Sequence, residues 1–291
     1  MYRQSLLFEF IKVKNMSRDI ITSRQNPTVK LVCSLLRKKE REETGLFRFD
    51  GVKLLIEALS KGIVPEHVVV SESKVASLFD RLCEAGVTSP EFFVVSDELF
   101  EKMSDEKSPE GVITVAKALD KINKIATINN KGQKIGLPEA SERVLLLESV
   151  RDPGNLGTAV RTASALGIDR LVISSDCADL YNPKTIRGAM GALFVMRIDV
   201  IEGEISEYVG ALRAAGRRVF GAALHTDALV LGELEVRRSD VFVIGNEGHG
   251  LADKTKEACD ACVLIPMREG SESLNAAMAA GIFMWETSRA K

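Results

Sequence analysis

The chain has 291 residues, 45% of them hydrophobic and 27% charged, with a formal net charge of −2. That is ordinary for a soluble globular protein and long enough for about two domains with full cores. No apolar run reaches the length of a membrane span, and the five cysteines, at 33, 83, 177, 259 and 262, are too scattered and odd in number for a disulfide framework.

At the amino terminus Leu6-Leu7-Phe8 is interrupted by Glu9 and Lys12, so it is no signal-peptide core, and Met16 is an alternative start. The expected location is the cytoplasm. Residues 1–60 carry twelve Lys/Arg against seven Asp/Glu. That local excess fits either a polyanion-binding module or a solvated helix face.

Residues 17–118 are predicted to form a compact α/β unit. Lys30 to Arg41 reads as a basic helix and Phe47–Phe49 as a strand. Val52 to Ser60 reads as a helix closed by Gly62, and Val68–Val70 as a strand. Lys74 to Glu84 is a helix ending at Gly86, and Phe92–Val95 a further strand. Residues 119–142 are then polar and aperiodic, with Pro138, and read as a linker.

From 143 to 291 short apolar runs recur at 144–147, 171–173, 219–224, 241–244 and 263–265, with a more alternating strand at Val195–Val200. Helical stretches lie between most of them. This predicts a mostly parallel sheet with helices on both faces. Leu274 to Trp285 is apolar almost all round and predicts a buried helix.

Three polar loops follow apolar runs. They are Asp152-Pro153-Gly154-Asn155-Leu156-Gly157, Gly245-Asn246-Glu247-Gly248-His249-Gly250, and Ile265-Pro266-Met267 with Ser273-Leu274-Asn275. Ligands of open α/β sheets sit at the carboxyl ends of strands, so loops there predict a shared small-molecule site. A dinucleotide fold does not fit. Gly154 and Gly157 lack the three-glycine fingerprint, and no acidic residue ends the next strand at Leu171–Ser175, Asp176 being the nearest candidate. Cys259 and Cys262 have metal-ligand spacing but no second pair, so two reduced thiols and no metal are expected.

The three loops together resemble the SpoU (TrmH-like) family of RNA ribose 2′-O-methyltransferases, members of the SPOUT superfamily. The first motif includes Arg161-Thr162-Ala163 and the second extends to Leu251. The amino-terminal half also resembles the family's substrate-binding domain, from Ile21-Thr22-Ser23-Arg24-Gln25-Asn26-Pro27 through Glu43–Phe47 to Asp50-Gly51, where relatives more often have Glu before the glycine.

The resemblance implies a carboxyl-terminal methyltransferase domain at 143–291 with a deep trefoil knot. It further implies S-adenosylmethionine as cofactor, a homodimer with sites at the interface, and RNA as substrate, ribosomal more than transfer RNA. Cofactor positions carried over are Leu224, Ile244, Gly245, Asn246, Gly250, Ile265, Met267, Ser273 and Leu274. Catalytic positions are Arg161, Asn155, Glu247, Ser273 and Asn275.

Guanidinium is effectively never deprotonated, so Arg161 suits clamping a phosphate and stabilising an alkoxide rather than acting as a base. Asn155 orients a hydroxyl or caps a helix. Glu247 suits an orienting role, and Ser273 and Asn275 either sit at the transfer centre or cap the last helix. RNA-binding candidates are Arg24, Arg37, Lys38, Lys39 and Arg41, with Lys184 and Arg187 beside Asn182-Pro183. Ala189 stands where many relatives have serine. Base methylation on the same fold, and an RNA-binding assembly factor without turnover, are the competing readings.

Overall fold

The computed structural model describes residues 20–84, 91–126, 136–224, 227–246, 248–268 and 273–290. They fall into two units, Met1–Ala118 with Tyr181–Pro183, and Leu119–Leu180 with Lys184–Lys291.

The first unit opens with helix α1, Pro27–Ser34, started by Asn26, whose side chain accepts from the Thr28 N–H. Helix α2, Lys38–Thr44, closes on Gly45 at φ +67°. The single basic helix expected over Lys30–Arg41 is therefore two. The break has a physical cause. Leu35 is fully buried, Arg37 is extended, and buried Arg41 donates from Nη1 to the Leu35 carbonyl at 2.6 Å, satisfying an orphan group at the end of α1.

Strand β1, Leu46–Asp50, then helix α3, Val52–Ser60, and strand β2, Pro65–Ser71, follow. A 3₁₀ turn, Glu72–Lys74, leads into helix α4, Val75–Glu84, one residue later than expected. Gly86 lies outside the described residues. Strand β3, Glu91–Val95, helix α5, Asp97–Met103, and strand β4, Val112–Lys117, complete the unit. The sheet order is β1-β4-β2-β3, with β4 antiparallel to both neighbours and β2 parallel to β3.

In the second unit the strands are β5 (Ile122–Ile125), β6 (Val144–Leu147), β7 (Arg170–Ser174), β8 (Arg197–Ile201), β9 (Val219–Ala222), β10 (Leu229–Val230), β11 (Val241–Ile244) and β12 (Ala261–Leu264). The helices are α6 (Pro153–Ala165), α7 (Pro183–Ala189), α8 (Ile205–Ala214), α9 (Asp253–Ala258) and α10 (Ala276–Arg289). The order is β10-β12-β9-β11-β6-β7-β8-β5, every described pair parallel.

Strands β6, β7 and β11 are buried at every residue because both faces are covered. Val144, Leu146, Val241 and Val243 pack with Ile205, Tyr208 and Leu212 of α8. Phe242, pointing the other way, meets Phe283 of α10 at a ring-centroid distance of 4.8 Å.

Three expectations change. Strand β5 lies inside the stretch read as linker and pairs with β8. Strand β8 starts at Arg197 because Met190–Phe194 is a 3₁₀ turn. Helix α10 is only half buried, with Met278 at 59% and Trp285 at 51% exposure. Its apolar surplus faces outwards.

Candidate functional site

The carboxyl ends of β9, β11 and β12 open into a cavity of about 350 Å³. That falls within the usual range for small-molecule sites, about 300–1,000 Å³. Its lining includes Leu224, Ile244, Gly245, Asn246, Gly250, Ile265, Met267, Ser273 and Leu274. Phe283 and Lys256 also line it. Neither was singled out in the sequence. Phe283 belongs to the core stripe of α10, and Lys256 sits three residues beyond Asp253, its partner at 2.7 Å.

The second loop forms its wall by folding on itself. Asn246 N–H donates to the Gly250 carbonyl at 3.1 Å, and Gly250 N–H returns to the Asn246 carbonyl at 2.9 Å. Asn246 Oδ1 accepts from Gly248 N–H at 2.7 Å, and Nδ2 donates to the Ser149 carbonyl at 2.8 Å. A Cβ on Gly245 would stand 2.3 Å from the Gly250 carbonyl carbon, so glycine is required there by the loop's own closure. Glu247 lies outside the described residues.

Two acidic residues outside the three motifs fasten the loops. Glu148, 8% exposed, directly follows β6. Its Oε1 accepts from Thr255 Oγ1 at 2.6 Å and its Oε2 from Ala252 N–H at 2.9 Å. A carboxylate that continues a fully apolar strand is the signal that could have found it. Asp176 accepts from Ser149 Oγ at 2.6 Å, Ser174 Oγ at 2.6 Å and Arg151 Nη2 at 2.9 Å. Burial pushes its pKa up, but those donors outweigh burial and hold the carboxyl below its ordinary value. Together they fix Ser149 at φ +57°, an uncommon conformation for a residue with a Cβ.

The first loop enters α6 through Asp152, whose Oδ1 accepts from Asn155 N–H at 2.8 Å. The cap of this helix is thus Asp152, not Asn155. Asn155 Oδ1 instead accepts from Asn275 Nδ2 at 2.8 Å. Asn275 caps α10 through Oδ1, which accepts from Ala277 and Met278 N–H. Ser273 stands outside that cap, in the exposed wall of the cavity.

Helices α6 and α10 lie side by side: a Cβ on Gly281 would meet Thr162 at 3.6 Å. A Cβ on Gly157 would stand 2.5 Å from the Thr185 carbonyl, so α6 packs backbone to backbone on α7. Arg161 is exposed and outside the cavity lining, and its guanidinium meets no acceptor among the described residues. The first and third motifs are brought together by the Asn155–Asn275 bond, and the second is tied by the Asn246–Ser149 bond to the segment that leads into the first.

Among the RNA candidates, Arg24, Arg37, Lys38, Lys39 and Lys184 are exposed and Arg187 is half buried. Arg41 is the correction. It is 6% exposed and bonded to the Leu35 carbonyl, so it organises the turn and offers no charge to solvent. Cys259 ends α9 and Cys262 lies in β12, both free thiols. Burial pushes the Cys259 thiol up to about 12, which makes it unreactive.

Residues 142–285 match the family model described as the SpoU rRNA Methylase family, and residues 26–114 match the MRM3-like substrate binding domain. The 23S rRNA (guanosine(2553)-2′-O)-methyltransferase RlmP of Bacillus subtilis is 34% identical over 91% of this chain and 97% of its own. A crystal structure of an RNA 2′-O ribose methyltransferase superposes with a TM-score of 0.75 at 26% identity, covering 92% of this chain and 98% of that one. The SpoU methyltransferase AviRb of Streptomyces viridochromogenes, solved in complex with AdoMet, gives a TM-score of 0.71 at 26% identity, over 91% of this chain and 98% of its own.

Proposed function

This chain belongs to the SpoU rRNA methylase family, and on that premise we propose that it transfers a methyl group from S-adenosylmethionine to a ribose 2′-hydroxyl of ribosomal RNA, in the cytoplasm. The observation that carries the reading is that the second and third motif loops line one cavity at the strand ends, with the first loop bonded to the third through Asn155 and Asn275. Relatives named as ribosomal RNA 2′-O-methyltransferases and a neighbour solved with AdoMet support the substrate and cofactor.

The residues present fit such a cofactor. Leu224, Ile265, Met267 and Leu274 give apolar walls, and the turns at Gly245–Gly250 and Ile265–Met267 bring main-chain polar groups to the edge. Bound there, the cofactor supplies an electrophilic sulfonium methyl group. The protein has to align a weakly acidic hydroxyl, stabilise developing negative charge and lead a proton away. Arg161 supplies a fixed cationic fork for an RNA phosphate and for the forming alkoxide. The Asn155–Asn275 pair offers amide groups to orient the hydroxyl, and Ser273 adds a further polar contact. Glu247, outside the described residues, keeps the orienting role expected of it.

The same reading includes the trefoil knot and a homodimer with sites at the interface. Arg161 lies outside its own chain's cavity lining, and α10 leaves Met278 and Trp285 exposed, which supports completion of the site by a second copy. Residues 17–118 serve as the RNA-binding domain and 119–291, whose first strand β5 joins the larger sheet, as the methyltransferase domain.

The test is tritiated methyl transfer from S-adenosylmethionine to total RNA, followed by mapping of the product. A deoxyribose at the mapped position should abolish transfer, since the 2′-hydroxyl is the acceptor. Undiminished transfer to the deoxy substrate would mean base methylation and overturn the reading.

A further inference from the structure

We propose that a groove between α1 and α5 in the first unit seats an unpaired nucleotide of the substrate RNA. This rests on the methyltransferase reading above and specifies which form of RNA the amino-terminal unit grips. The groove encloses about 700 Å³, larger than the motif cavity.

Its floor is apolar and firm. Val29, Leu99 and Met103 line it at 2%, 4% and 1% exposure and belong to the core of the unit. Leu36, 40% exposed, adds an apolar wall that packing within the unit does not need. Arg24, Lys30, Arg37 and Lys102 stand around this floor, and no carboxylate is among the lining residues. Arg37 and Lys102 are held by Glu40 and Glu98, whereas Arg24 and Lys30 form no ion pair among the described residues.

An apolar slot ringed by fixed cations matches one nucleotide in two respects. The base covers the floor, and the flanking phosphates meet the rim. Guanidinium planes, here Arg24 and Arg37, are also platforms for unstacked bases. A continuous duplex hides its bases and cannot fill such a slot. Lys38 stands exposed at the start of α2, next to the rim, and Lys39 is shared there with Glu43 at 3.6 Å. The site therefore selects RNA with a loop, bulge or single-stranded end.

Cys33 lines the groove, is half buried and carries a free thiol, which provides a direct readout. A short oligouridylate should protect Cys33 from alkylation by N-ethylmaleimide, measured by peptide mass spectrometry. An RNA duplex of equal length should not. The double variant Lys30→Glu with Leu36→Asp alters two exposed side chains. It should weaken oligouridylate binding about tenfold or more, the size expected for a lost stacking and phosphate contact.

The same variant should raise KM for ribosomal RNA while leaving kcat at saturating RNA and S-adenosylmethionine affinity unchanged. Equal protection by the duplex, protection by polyglutamate matching that by oligouridylate, or an unchanged KM would each overturn the proposal. Absence of methyl transfer by the unaltered protein would instead remove the enzymatic reading, while selective protection of Cys33 would still stand.

Discussion

Arg161 and Arg41 show how one residue type serves opposite ends. Arg161 projects into solvent with its fork uncommitted among the described residues, whereas Arg41 is buried against a carbonyl. For Arg161→Lys we expect loss of most turnover with S-adenosylmethionine affinity unchanged by calorimetry, because an ammonium cannot reproduce bidentate contact. Near-normal kcat would remove Arg161 from the transfer step. Arg48, 1% exposed, donates from Nη2 to both Asp50 carboxylate oxygens at 2.7 and 2.8 Å and from Nη1 to the Met103 carbonyl. Asp50→Ala strands that guanidinium, so denaturant unfolding should show a loss of about 3–5 kcal/mol. The burial of Arg41 and Arg48 could not be read from sequence, since it depends on how the surrounding elements pack rather than on the chemistry of the side chain alone.

At the scale of elements, the site depends on how loops are latched to strand ends. Gly245→Ala would force a Cβ onto the Gly250 carbonyl, and the wall of the cavity would have to open. Cofactor affinity should fall at least about tenfold, or about 1.4 kcal/mol, in titration calorimetry; an unaltered Kd would show that the loop can yield. Asp176 ties Ser149 and Arg151 through a carboxylate held below its ordinary value of 3.8. A depressed folded pKa contributes stability that is complete above the ordinary value and is lost as pH falls below it, through the folded one. Thermal melts of Asp176→Asn should therefore lie below those of the unaltered protein at neutral pH and converge with them under acid, below 3.8. A gap that persisted there would assign the effect to packing rather than charge. Strands β6 and β11 were legible because continuous apolar runs have few other homes, whereas β10, two residues long, and β5, with exposed Asn123 and Lys124, carry no comparable pattern.

For the whole molecule, the exposed apolar face of α10 and the position of Arg161 outside the cavity bear on the same proposal. Trp285→Asp should shift a dimer to monomer in sedimentation velocity and abolish methyl transfer together, if two copies complete one site. A fully active monomer would confine the chemistry to a single chain. The mostly parallel sheet of 143–291 follows from its alternating runs and helices, and the four-stranded sheet of the first unit is less legible because β4, its second strand in spatial order, comes last in sequence. Pairing between β1 and β4 joins residues such as Phe49 and Thr114, far apart along the chain.

The order of residues was enough for most of the elements and for the strand-end loops, because hydrophobic period and glycine-rich turns are local properties; the chemistry expected of those loops came from resemblance to a family. Tertiary structure alone decided that Glu148 and Asp176 fasten those loops, that Asn155 meets Asn275, that Arg41 is hidden, and that α1 and α5 leave a cationic groove between them. Apart from the Arg41 turn, each of these is a contact between segments distant in sequence, and such contacts exist only once the sheet has fixed the strands' order.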